Sequence, residues 1–314
     1  MSDNDKSQRL IGWAGITVRV PQDWALASIS VDEKQGYLRI DDRDMPRLEI
    51  KWTATPGFVD LEKTVNKYLQ TVKKSHKADD DQFSVDRDVR VVSKRQMQKD
   101  SLTTFAWHAQ QQQAYGAVWV CKQCEQTVIA QVLGRPKEED LLHTARRVIS
   151  SITDHPTDGW TTWAAYGFVC QIPEDFTLTG QQLYSALLKF SFTRDLETIE
   201  VGRWGMAGTL LRDKTLDQWL QQELGKELRR YKPISDETRF RGHEAVAFTG
   251  TRMPPLQGLK RFALHLIGRQ APRRLLGHAW HCEATNKIFV VHGLFDAANY
   301  ELANQLRDRI ECHQ

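Results

Sequence analysis

Apolar and polar residues alternate along much of this chain, and the alternation breaks off at matching residues in its two halves. Trp13-Ala14-Gly15-Ile16-Thr17-Val18-Arg19-Val20 reads as one half-buried strand, stopped at Pro21 and followed by Gln22-Asp23-Trp24. Tyr166-Gly167-Phe168-Val169-Cys170-Gln171-Ile172 repeats it, stopped at Pro173 and followed by Glu174-Asp175-Phe176. A proline ends ladder pairing because it has no N–H, and the aromatic then turns back onto the sheet. Strand pairs follow at 37–40 with 47–52, and at 187–192 with 198–201. Each half next predicts a helix. Asp60 caps a segment with Leu61, Val65, Tyr68, Leu69 and Val72 on one face, and Thr215 with Gln218 forms a capping-box pattern before Leu216, Trp219, Leu220 and Leu224.

Strands predicted at 89–93 and 245–250 lead to a local match, Phe105-Ala106-Trp107-His108 against Phe262-Ala263-Leu264-His265. The most complete repeat comes last. Val118-Trp119-Val120-Cys121, a turn, a strand over 127–134 and a helix with Leu141, Leu142, Ala145, Val148, Ile149 and Ile152 on its core face match Ala279-Trp280-His281-Cys282, a strand over 287–293 and a helix carrying Ala303, Leu306 and Ile310. Each half therefore reads three strands, helix, four strands, helix. That order predicts an α+β fold: two repeated α/β sandwich domains, each a mainly antiparallel six- to seven-stranded sheet with two helices packed on it. The expected boundaries are 1–153 for the first repeat, 154–162 for a short linker and 163–314 for the second, with the two repeats packing as an internal pseudo-dimer in a monomeric chain.

Length agrees with this reading, since 314 residues allow two domains of roughly 150. A formal charge of +3 is slight for such a chain and argues against a nucleic-acid binder. No run of eighteen apolar residues predicts a membrane span, and the polar start Met1-Ser2-Asp3-Asn4-Asp5-Lys6 has no secretion-signal pattern, so a cytoplasmic protein is expected. Five cysteines in that setting predict reduced thiols.

The strand ending in Val20-Pro21-Gln22-Asp23-Trp24 or Ile172-Pro173-Glu174-Asp175-Phe176, the early hairpin, the mid-chain helix, the long meander and the closing helix together resemble the Mog1/PsbP/DcrB-like superfamily, present here as a tandem duplication. The resemblance implies a binding or assembly module. The superfamily includes a GTPase-binding transport factor, a photosystem extrinsic subunit and chaperone-like secretion adaptors, and it implies no shared catalytic residues.

Candidate chemistry is sparse. Cys121-Lys122-Gln123-Cys124 is a C-x-x-C, weak as a metal or redox site because no second ligand pair is evident in sequence and because its first cysteine ends a strand rather than opening a helix. The recurring Trp119/Cys121 and Trp280/Cys282 read as core packing, and His281, pointing to the opposite face from Cys282, argues against a shared metal. His108 and His265 are the best-matched polar pair, and Arg269, Arg273 and Arg274 form a basic cluster suited to an acidic partner. The expected function is a non-catalytic protein-binding or adaptor module with no cofactor. The alternatives are a small-molecule or metal-binding protein or enzyme with a site between the repeats, and an anionic-ligand or nucleic-acid binder through the basic loop.

Overall fold

A computed structural model describes residues 8–76, 82–92, 101–251 and 273–313. The chain divides into two compact units, Met1–Gly167 and Phe168–Gln314. The first unit runs β1 (Gln8–Trp13), β2 (Ile16–Pro21), β3 (Ala25–Val31), β4 (Gln35–Asp41), β5 (Pro46–Ala54), α1 (Leu61–Ser75), β6 (Ser84–Arg87), β7 (Ser101–His108), β8 (Gln113–Cys121), β9 (Gln126–Gly134), α2 (Leu141–Ser150) and β10 (Trp160–Ala165). The second runs β11 (Phe168–Pro173), β12 (Thr177–Leu183), β13 (Leu187–Arg194), β14 (Glu197–Gly205), a single-turn α3 (Ala207–Leu210), α4 (Leu216–Leu228), β15 (Ile234–Phe240), β16 (His243–Thr251), β17 (Arg274–Cys282), β18 (Lys287–Phe295), α5 (Leu302–Asp308) and β19 (Ile310–Glu311).

Each unit is organised on a seven-stranded antiparallel sheet of the same strand order, β3-β4-β5-β9-β8-β7-β6 in the first and β12-β13-β14-β18-β17-β16-β15 in the second. The capping predictions hold at both long helices: Asp60 accepts from the Lys63 N–H, and Thr215 and Gln218 form the reciprocal capping box. α1 buries Val65, Tyr68, Leu69 and Val72 against Phe105, Trp107, Ala114 and Val118. α4 buries Leu216, Trp219, Leu220 and Leu224 against Val246, Phe248, Leu275 and Ala279. Removing that apolar area from water at about 25 cal/mol per Å² is what fixes each helix to its sheet. α2 packs on β8 and β9, and α5 on β17 and β18. Trp119 and Cys121 alternate with Val118, which contacts the α1 cluster, so both face the α2 side of the sheet.

The expected α+β sandwich is overturned. Among the described residues strands take 51% and helices 21%, and the strands form three antiparallel sheets of five, seven and seven, so the fold is mostly β. One reason lies in the first predicted strand. Ala14 and Gly15, at φ of 50° and 89°, make a left-handed two-residue turn, so the run from Trp13 is not one strand: Trp13 ends β1 and Ile16 opens β2 of a hairpin. Tyr166 and Gly167, at φ of 50° and 74°, take the same left-handed conformation after β10. Within the first unit β10 pairs with β1, and within the second β19 pairs with β11. β3, β12 and β15 are further strands that the alternation did not predict, and the strand expected at 89–93 lies instead at Ser84–Arg87, with Ser93 outside the described residues. The last helix ends at Asp308, so Ile310 opens a strand instead of closing a helical face.

The repeat at Phe105 is also re-assigned. β7 occupies the place in its sheet that β16 occupies in the other, with Phe105 opposite Gly116 and Phe248 opposite Gly277. A Cβ on either glycine would come within 2.3 Å of the ring of the facing phenylalanine, so only glycine fits. His108 therefore corresponds to Thr251, three residues after Phe248, while His265 lies outside the described residues. Among the described residues no helix is long and apolar enough to cross a membrane.

Candidate metal centres

Cys121 closes β8 and Cys124 sits in the turn before β9. The chain then builds β9 and α2 and returns past Ile152 to the end of the same hairpin, tied there by the backbone bridge between Thr17 and Thr153. That return delivers Asp154 and His155, both read as linker from the sequence, to the two cysteines. One ligand atom from each of Cys121, Cys124, Asp154 and His155 lies within 4.8 Å of every other. His155 Nδ1 is 3.4 Å from Cys121 Sγ and 2.7 Å from Asp154 Oδ1, and the Trp119 indole N–H donates to Asp154 Oδ2 at 2.8 Å.

The second unit repeats the construction. Cys282 closes β17 as Cys121 closes β8, and the chain leaving α5 brings back Cys312 and His313. A fourth group, His243, comes from the start of β16, and the four ligand atoms again lie within 4.8 Å of one another. His313 Nδ1 is 3.4 Å from Cys282 Sγ, the same separation as in the first unit, and 3.2 Å from Cys312 Sγ; His243 Nε2 is 3.7 Å from Cys312 Sγ. The first four groups are all half-buried, whereas Cys282 and Cys312 are buried, His243 is half-buried and His313 is exposed.

The sulfur–nitrogen separations suit a tetrahedral ion, whereas the 2.7 Å Asp154–His155 contact would have to open for both to bind it. With Zn–S near 2.3 Å and Zn–N near 2.0–2.1 Å, a sulfur and a nitrogen on one zinc stand about 3.6 Å apart. Without an ion, burial disfavours the charged forms of Cys124, Cys312 and His243. Burial, then the hydrogen bond with Cys121 and the charge of Asp154, pushes the Cys124 thiol up to about 12. Burial raises Cys312, with Cys282 adding to it and the Trp280 indole N–H opposing it. Burial, then the neighbouring His313 and His281, lowers His243 and keeps its lone pair free. A divalent cation reverses the thiol preference, since it takes thiolates and releases their protons.

Of the residues singled out from sequence, Cys121 and Cys124 enter this arrangement. His108 does not: its Nε2 faces Asp86 at 3.4 Å and its Nδ1 lies 3.1 Å from Gln113. Arg273 pairs with Asp296 at 2.9 Å and Arg274 stacks over Tyr300, while Arg269 lies outside the described residues. Sequence reasoning missed Asp154, His155, His243, Cys282, Cys312 and His313 as ligands. A signal was present for most of them. Ile152-Thr153-Asp154-His155 and Ile310-Glu311-Cys312-His313 stand in register at the end of the repeat, each paired with a Trp-x-Cys strand. A scan of protein-family models finds no match to this chain, and a search of curated proteins finds none either.

Proposed function

We propose that this is a metal-binding protein that holds one thiophilic divalent ion, zinc fitting best, in each of its two units. The observation that carries the reading is the recurrence of a four-donor cluster at the same place in both units, built on one shared pair, Cys121 with His155 and Cys282 with His313, and completed differently in each. A thiol–imidazole hydrogen bond would account for the shared pair alone; it gives no reason for two further donors to converge on it twice. Two thiolates with nitrogen or carboxylate donors favour zinc over calcium or magnesium, which take oxygen shells. In each unit the ion would tie the segment leaving the last helix to the strand ahead of the closing hairpin, joining groups separated by 34 residues in the first unit and 31 in the second. The role this supports is structural in the second unit, where the cysteines are buried.

Elemental analysis of the protein purified under reducing conditions tests it. Two zinc ions per chain are expected, one remaining in Cys121→Ser and one in Cys282→Ser. Stoichiometric zinc that survives both substitutions together would refute the assignment, as would a folded protein that takes up none.

A further inference from the structure

Beyond the shared cysteine–histidine pair, the two centres differ in both remaining donors. Where the second unit places Cys312, the first places Asp154, a harder and more readily displaced donor to a thiophilic ion. Both carboxylate oxygens of Asp154 already have protein partners, Oδ1 at His155 and Oδ2 at the Trp119 indole. A metal taken by His155 Nδ1 would end the bond to Oδ1, but the Trp119 bond to Oδ2 involves no ligand nitrogen, so the carboxylate can leave a metal and still keep a partner.

A cavity of about 210 Å³ lies against Cys121, Asp154 and His155. Apart from Trp119 and these three ligands its walls are aliphatic: Val92, Leu102, Ile149 and Ile152. An apolar cavity of about 150 Å³ suffices to take up benzene. The chamber at the first centre therefore has room for a hydrocarbon group of that size, next to a coordination position that Asp154 can vacate.

Resting on the metal reading above, we infer that the first centre is a ligand-binding site for small apolar thiols. The metal–oxygen bond to Asp154 breaks and a metal–sulfur bond forms. The thiol proton passes to the freed carboxylate or to solvent, and no electron is transferred. One anionic donor replaces another, so the charge at the metal is unchanged. The hydrocarbon part of the ligand lies among Val92, Leu102, Ile149 and Ile152, which is what selects an apolar thiol over a hydrophilic one.

The test uses the full chain reconstituted with cobalt(II), whose tetrahedral absorption reports the ligand set, titrated anaerobically with benzyl mercaptan. Cobalt content is measured first and should be two per chain. The thiol should then change the spectrum of one cobalt, saturate at one equivalent per chain and leave both ions bound. Asp154→Cys, which gives the first centre the sulfur found at that place in the second, should abolish the response. Leu102→Trp, which fills the chamber without touching a ligand, should weaken thiol binding at least tenfold while two cobalt ions remain. Two bound cobalt ions with no thiol response, or the same response in Asp154→Cys, would overturn this inference and leave the metal reading standing. Failure to bind cobalt at all would overturn both.

Discussion

The indole of Trp119 is the clearest single-residue device in the first centre, because its N–H fixes Asp154 Oδ2 and so sets which oxygen faces the metal position. Groups that orient a metal ligand are worth about 10- to 100-fold in affinity. Trp119→Phe should therefore weaken the first metal by about tenfold and leave the second unchanged, as read by competition with a chromophoric chelator. The counterpart, Trp280, is fully buried, and its indole N–H is directed at the Cys312 thiol rather than a carboxylate. His278 belongs to the stability of the second unit instead. Burial, then the charge of Arg307, lowers its pKa to about 4. A histidine held neutral in the fold protonates more readily when unfolded, so its effect is absent above about pH 6.5, grows as pH falls towards 4 and then levels off. Chemical denaturation across that window should show a loss of about 2 kcal/mol that His278→Gln largely removes, once screening at a partly exposed site is allowed for.

At the scale of elements, much of the fold was legible because burial patterns act locally. The Asp60 cap and the Thr215–Gln218 box both formed where the capping residues stand before an apolar helical face. The strands β1 and β10 were not legible, and the run from Trp13 was read straight through Ala14-Gly15 because alternation continues on both sides of a two-residue turn. That is how a mostly β chain came to be read as an α+β sandwich. The metal centres were hidden for another reason. Their donors converge only after each last helix has carried the chain back to its hairpin, and of four donors in each unit only the Cys121/Cys282 and His155/His313 pairs keep their residue type. Cys124, the one further donor noticed from sequence, has threonine as its counterpart at Thr285, so the C-x-x-C does not recur in the second unit. The repeat also makes a packing prediction. Gly277→Ala would press a Cβ to 2.3 Å from the Phe248 ring and 2.6 Å from His292 Cβ. Overpacking of this kind costs about 1–3 kcal/mol, so the denaturation midpoint should fall with little change in slope.

For the whole molecule, the repeated strand order means that a claim about one unit can be checked against the other. If each ion clips a returning segment to its hairpin, chelation should destabilise both Met1–Gly167 and Phe168–Gln314. A strong zinc chelator is expected to lower the thermal midpoint of the full chain by several degrees, and zinc added back in stoichiometric amount should restore it. The measurement that bears most directly on the central claim is zinc X-ray absorption spectroscopy on the purified protein, with the zinc content determined on the same sample. Two ions per chain are expected, with an average first shell of about two sulfurs near 2.3 Å and two nitrogen or oxygen atoms near 2.0–2.1 Å. A protein that folds and keeps its stability without bound metal, or a zinc shell of oxygen and nitrogen alone, would contradict it.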